Sequence, residues 1–174
     1  MSVETSWNNE SGHEGYQYIF RVKAQTESAP QEIGFEAQII RSNGGIGDAE
    51  YPIVTVIPSR AALERYFDEN SAFYDLAPRE TVYADTSIGF DDAMERYDEA
   101  FFAKSYLVLA VLEEGSGSIR HRVKAVAESG EITIERLLPE FGTDDMAQWH
   151  LIIELEKGFE PGGFSLTFED VQAG

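Results

Sequence analysis

Two hydroxyls in a permissive backbone are the first residues that could do chemistry: Ser116 and Ser118 flank Gly117 in the run Glu114-Gly-Ser-Gly-Ser118. Such a run could present a nucleophile or a nest of backbone amides for an anion. It does not match the Gly-x-Ser-x-Gly nucleophile elbow, and it falls between two strand patterns rather than before a helix. A hairpin or bulge is therefore expected there, with a ligand nest as the alternative. Arg120 and Arg122 follow closely. The chain has only 13 basic residues against 32 acidic ones, so two neighbouring cations beside the hydroxyls make a candidate binding surface. Trp149 and His150 form a second candidate pair, an aromatic anchor beside an imidazole.

Other combinations are weaker. Thr143-Asp-Asp145 with Glu140 offers oxygen ligands to calcium, but the spacing is not that of an EF-hand loop. A strand connection in which Asp144 or Asp145 accepts from backbone amides is the simpler expectation. Asp144, Asp145 and His150 together are what an acid-dependent or metal-dependent hydrolase would use. The histidines are His13, His121 and His150, and no His-x-x-x-His pair exists. Asn43-Gly-Gly-Ile-Gly-Asp48 lacks the Lys-Ser/Thr of a phosphate loop and has acids nearby, so it reads as a plain flexible loop. Glu113 and Glu114 are adjacent in a strand pattern, point to opposite faces, and so cannot form a glycosidase pair with each other.

The bulk properties narrow the field. With 174 residues, 43% of them apolar and 12% aromatic, the chain can build a packed core without a metal or disulfide. A formal charge of −19 repels phosphate backbones and anionic lipids, so no nucleic-acid partner is expected. The absence of cysteine excludes disulfides, zinc–thiolate sites, iron–sulfur clusters and a thiol nucleophile. No cofactor or metal is implied. No run has the ~18–20 apolar residues of a membrane span. The first residues lack the basic and apolar regions of a signal peptide, which points to the cytoplasm, or to the cell envelope if a leader precedes Met1.

The elements that must position these residues read as α+β, mainly antiparallel sheet in a sandwich or meander, with two short helices packed on it. Residues 1–15 read as a polar tail and 16–174 as one domain. Strands are expected at Tyr16–Ala24, Ile33–Arg41, Tyr51–Ile57, Tyr106–Glu113, Ile119–Ala127, Ile132–Leu138 and Trp149–Glu156. Thr26–Gln31 reads as a turn, Thr81–Ala84 as a short strand, and Phe164–Phe168 as a terminal edge strand. Tyr51–Ile57 has the composition of a buried strand. Ser59 is placed to cap a helix with Leu63, Tyr66 and Phe67 on one stripe, ending at Asn70-Ser71. A second helix is expected over Asp91–Lys104, capped by Asp91, with Ala93, Met94, Tyr97 and Phe101 inward. The basic row Arg120, Arg122, Lys124 should face the acidic row Glu131, Thr133, Glu135 across a hairpin turned at Glu128–Glu131. Trp149, Leu151, Ile153 and Leu155 give the inward face of the next strand, which puts His150 on the other side.

Glu114–His121, Pro139–Ala147 and Trp149-His150 resemble a pattern in a group of uncharacterised proteins from clostridia and related Gram-positive bacteria. Phe35-Glu-Ala-Gln and Tyr51-Pro-x-Val-Thr-Val-Ile resemble the same group, which extends the likeness to about two thirds of the chain. More distantly, Phe102–Lys157 resembles the C-terminal domain of the spirochaete lipoprotein that stabilises a surface protease complex. That domain usually has Thr-Gly-Gly-Tyr where Ser116-Gly-Ser-Ile119 stands here. This second likeness implies a small β-rich module acting by protein contact. The expectation is thus a non-enzymatic binding or accessory module contacting another protein through Ser116, Gly117, Ser118, Arg120 and Arg122, with Trp149 and His150 second. The small hydrolase is the alternative. The sequence leaves the oligomeric state open.

Overall fold

The structure, a computed structural model, describes residues 31–77 and 89–172. The expected tail with His13, the strand Tyr16–Ala24, the turn up to Pro30 and the strand Thr81–Ala84 lie outside the described residues.

Two strands of ten residues organise the rest. β3 (Ser105–Glu114) and β6 (Ala147–Glu156) pair antiparallel along their whole length, from Ser105 opposite Glu156 to Glu114 opposite Ala147. β1 (Glu36–Arg41) adds to β6 and β2 (Ile53–Ile57) to β3, giving an antiparallel sheet in the order β1-β6-β3-β2. A second sheet has the order β4-β5-β7. In it β4 (Arg120–Val126) and β5 (Glu131–Leu138) are antiparallel, and β7 (Ser165–Gln172) runs parallel to β5.

Both faces of the first sheet are buried. Val108, Ala110 and Leu112 of β3, with Trp149, Leu151, Ile153 and Leu155 of β6, pack against Val123, Val126, Ile132 and Ile134 of the second sheet. Leu107, Leu109, Val111 and Ile152 pack the other way, against Leu63, Phe90, Met94, Tyr97 and Phe102 of a helical layer. The result is three layers: helices, a four-stranded sheet and a three-stranded sheet. Sequence alternation exposes only one inward face of β6. The near-continuous apolar run Tyr106–Leu112 is the signature of a strand covered on both sides.

Three helices, not two, form the outer layer among the described residues. α1 (Arg60–Asn70) begins as expected, with Ser59 Oγ accepting from the Ala62 amide at 3.2 Å. The expected helix Asp91–Lys104 is divided into α2 (Phe90–Met94) and α3 (Glu99–Lys104). The break has a local cause: the Asp98 carboxylate accepts from the Phe101 amide at 2.8 Å and starts a new helix. Arg60 reaches across to the carbonyls at the break, bonding Met94 O, which also accepts from the Tyr97 amide, at 2.7 Å and Tyr97 O at 3.3 Å. Gly89, not Asp91, is the N-cap of α2, and its amide donates to Asp92.

Three further expectations change. Glu114–Ser118 is not a hairpin, because β3 and β4 belong to different sheets and the segment crosses between them. Tyr51–Ile57 is not an interior strand: β2 ends its sheet, and Val56 is 46% exposed. The basic and acidic rows meet at Arg122 and Glu135 (Nε to Oε2, 2.7 Å), but a bulge between Val123 and Ala125 sends Lys124 to Glu169 of β7 instead. The expected turn at Glu128–Glu131 is present, with Gly130 at a φ of 89° that favours glycine.

Replacing Asp98 with Ala should destabilise the protein by about 1 kcal/mol, as removal of an N-cap side chain does. Urea denaturation measures this. An unchanged midpoint would mean that α3 does not depend on its cap.

Candidate functional site

The 114–118 crossing and the 139–146 connection between β5 and β6 are bonded into one platform. Ser116 Oγ and Ser118 Oγ lie 2.8 Å apart, and the Thr143 amide donates to both, at 2.9 and 3.1 Å. Asp145 accepts from the Gly117 amide at 3.1 Å and from Arg41 at 2.7 Å. Arg41 also donates to Gly117 O at 3.3 Å, and Arg120 donates to the same carbonyl at 2.7 Å. A side-chain hydrogen bond from Thr143, then those from Arg41 and the Gly117 amide, hold the Asp145 carboxyl below its usual range, at about 2.

Gly117 lets the Asp145 and Arg41 side chains close over the crossing. A Cβ there would strike the Asp145 carboxylate and the Arg41 guanidinium. The two glycines of the run therefore differ: a Cβ at Gly115 would meet nothing. Above the bonded base, the connection holds two large apolar side chains outward, Phe141 at 81% exposed and Met146 at 61%.

Trp149 and His150 separate onto opposite faces of β6. The Trp149 ring lies in the interior between the sheets, under the Arg120 guanidinium at 5.3 Å and edge-on to His121 at 5.4 Å. So Ser116, Gly117, Ser118, Arg120 and Trp149 are brought together. Arg122 is not among them; it is 65% exposed and engaged with Glu135.

Beside Trp149 is a buried ionic group that residue spacing does not reveal. Glu114 accepts both Nε and Nη2 of Arg136, at 2.8 and 2.7 Å, and is bonded to His121 Nε2 at 2.9 Å. Burial alone would raise the Glu114 pKa, but the bonds from Arg136 and His121 outweigh it and hold the carboxyl at about 2. The bidentate fork fixes both side chains. His121 Nδ1 and Trp149 Nε1 have no partner among the described residues, which adds a polar burial cost at this end of the sandwich.

His150 is enclosed on the helical side. Ser42 Oγ lies 2.6 Å from Nδ1 and the Tyr66 hydroxyl 2.8 Å from Nε2, with the rings of Tyr74 and Phe90 edge-on at 4.9 and 5.3 Å. A neutral imidazole has one donor and one acceptor nitrogen, and a hydroxyl on each side satisfies both. Burial pushes its pKa down to about 3. Its bonded partners are hydroxyls rather than carboxylates, while Asp144 and Asp145 lie exposed in the 139–146 connection. The structure thus does not join Asp144, Asp145 and His150 in one bonded set. Among the described residues, no three His, Asp or Glu side chains are grouped to hold a metal ion.

Sequence reasoning passed over Arg41, Phe141 and Met146, and read Thr143 only as a candidate calcium ligand. Phe141 does carry a signal: it is a large apolar residue between Glu140 and Gly142, in a segment without strand or helix periodicity.

Two predictions follow from this geometry. Gly117→Ala should cost about 0.5 kcal/mol or less in global stability, because the atoms it displaces are the far ends of the Arg41 and Asp145 side chains. It should also speed amide exchange across residues 139–146, read by mass spectrometry, and unchanged exchange would refute the interlock. The second concerns acid. Unfolded His150 takes a proton below about pH 6.5, whereas the folded side chain resists protonation down to about 3. Stability is therefore lost as pH falls from 6.5, by about 2 kcal/mol at pH 5 relative to neutral pH. The Glu114 contribution is retained above its unfolded pKa of 4.5 and lost as pH falls toward 2. In His150→Gln the pH 5–7 slope should flatten, as read by urea denaturation at each pH; parallel curves for parent and variant would overturn the assignment.

Comparison with known protein families, with curated proteins and with solved structures finds no match to this chain.

Proposed function

We propose that this protein is a non-enzymatic binding or accessory module that acts through protein–protein contact, using the platform built from residues 114–118 and 139–146. The observation that carries this reading is the exposure of Phe141 and Met146 on a connection fixed by Thr143 and Asp145. Large apolar side chains on a pre-organised base bind with little further ordering cost, which is how interface anchors achieve their effect. Ser116 and Ser118 act as the base of the platform rather than as nucleophiles, because the Thr143 amide already occupies their oxygens. Arg120 acts likewise, tied to Gly117 O and lying over Trp149.

The family resemblance supports the same surface, since two of the segments that carry it, Glu114–His121 and Pro139–Ala147, contain these loops. The hydrolase reading has less behind it. His150 is a buried neutral group between two hydroxyls, and no acid bonds it to make a general base.

The test is capture of a partner from a host lysate by the parent and by the double variant Phe141→Asp/Met146→Asp. Both positions are exposed, so the melting temperature should stay nearly constant. Capture of whichever protein the parent retains should fall about tenfold or more, as expected when interface anchors are lost. Equal capture by both forms would remove the platform from the proposal.

A further inference from the structure

Among the described residues four strands end a sheet: β1 and β2 in one, β4 and β7 in the other. Proteins guard such edges with charge, because unpaired N–H and C=O groups invite another strand. β1 carries Glu36 and Arg41, β4 carries Arg120, Arg122 and Lys124, and β7 carries Glu169 and Asp170. β2, with the sequence Ile-Val-Thr-Val-Ile, carries none. Among the described residues it pairs only with β3. Pro52 and Pro58 flank it, which confines the available backbone donors to Ile53–Ile57.

A cavity of about 470 Å³ lies along this strand, lined by Val54, Val56, Pro58, Tyr106, Pro161 and Phe164. It is the part of the first sheet's inner face that the narrower second sheet leaves open. A strand added beside β2 would place alternate side chains into it, since residues i and i+2 share a face. The apolar lining sets those side chains as aliphatic.

Charge sets the rest. At the Pro58 end the cavity reaches exposed Glu160, and the neighbouring Lys157 is turned to the carbonyl of Phe102 at 2.5 Å. At the Pro52 end a second cavity, of about 240 Å³, is bordered by Glu113, Glu114 and Arg136, and Arg136 is bound to Glu114 and Asp170. Glu113 accepts from the Gln148 amide and is bonded to no cation among the described residues. A carboxylate therefore stands at each end of an uncharged strand, in a protein of net charge −19.

We propose that the edge of β2 left unpaired among the described residues docks an extended peptide segment of a partner protein, with aliphatic residues at alternate positions and a basic residue at each end. Main-chain pairing supplies the contact, the cavity selects the aliphatic residues, and Glu113 and Glu160 select the flanking cations. The exposed anchors of the platform, Phe141 and Met146, take no part, so this goes beyond the function proposed above.

The experiment titrates the full chain, labelled with nitrogen-15, with the peptide acetyl-Arg-Thr-Val-Thr-Val-Thr-Val-Arg-amide, whose first Arg shares the valine face, as Glu160 shares the cavity, and whose last lies on the opposite face, as Glu113 does. The control peptide has Glu in place of both Arg residues. Saturable shifts of the Ile53–Ile57 amides are expected, with slowed exchange at alternate positions and about tenfold weaker binding of the control. Val56→Lys, at an exposed position, should abolish binding at unchanged melting temperature. Phe141→Asp should bind the peptide as the parent does. The proposal is overturned by absence of saturable binding, by equal affinity for the two peptides, by shifts centred on β7, or by undiminished binding to Val56→Lys. Loss of binding in Phe141→Asp would move the site to the platform and also overturn it.

Discussion

The pairing of β3 with β6 is the constraint from which the other features follow. Ten residues from each strand zip together, and the pair is apolar on both faces. A sheet apolar on one side can leave its other face in water; this one cannot. It needs a helical layer on the Leu107/Leu109/Val111 face and a second sheet on the Val108/Ala110/Leu112 face. The chain must then leave β3 for the second sheet and return from β5 to β6. Those two crossings, at 114–118 and 139–146, occur at the same end of the β3–β6 pair, because Glu114 lies opposite Ala147. The platform is thus a consequence of the central pairing and not an independent loop decoration.

Polar groups buried on the two sides of that sheet are stabilised in different ways. On the helical side His150 stays neutral, and two hydroxyls suffice. Between the sheets Glu114 stays charged, which demands the guanidinium fork of Arg136 and the ring of His121. A buried ion pair adds little net stability over apolar packing, but breaking it strands a charge. Glu114 is the last residue of β3, and His121 and Arg136 are direct partners in the β4–β5 register. The pair therefore ties the first sheet to the second at the end where the chain crosses, which fixes how the two sheets meet.

Most of the strand set was legible because period-2 alternation records a half-buried strand: Ile132 and Ile134 against Thr133 and Glu135, or Phe35, Ala37 and Ile39 on one side of β1. Ser59 announced its helix by residue type alone. What was hidden depends on tertiary placement. Alternation of Trp149 through Leu155 says that two faces differ, but not that both are covered. The Asp91–Lys104 pattern is helical throughout, and only the competing cap at Asp98 and the docking of Arg60 onto the break divide it. At the candidate site, Ser116, Gly117, Ser118, Arg120 and Trp149 do converge, since they flank one crossing. Trp149 and His150 were grouped as neighbours although adjacent strand residues point apart, and here the two sides of the strand lead into separate cores. Arg41, 104 residues before Asp145, gave no sign of its partner.

Charge distribution links the two proposed contact surfaces. In a protein with 32 acidic and 13 basic residues, like-charge repulsion opposes the approach of other acidic surfaces. That leaves few places where a neighbour can approach closely. The platform is one, because its prominent side chains, Phe141 and Met146, are apolar, and Asp145, one of its acids, is paired with Arg41. The edge of β2 left unpaired among the described residues is the other, because the strand has no charge at all. They would act by different physics. The platform offers side chains held by a rigid base, so contact there is decided by shape and apolar fit. The edge offers backbone amides and carbonyls, which any extended chain can meet, so discrimination there falls to the cavity and to the acids at its ends. Repulsion over the rest of the surface sharpens both, since a partner matched to either must carry apolar or basic character where it touches.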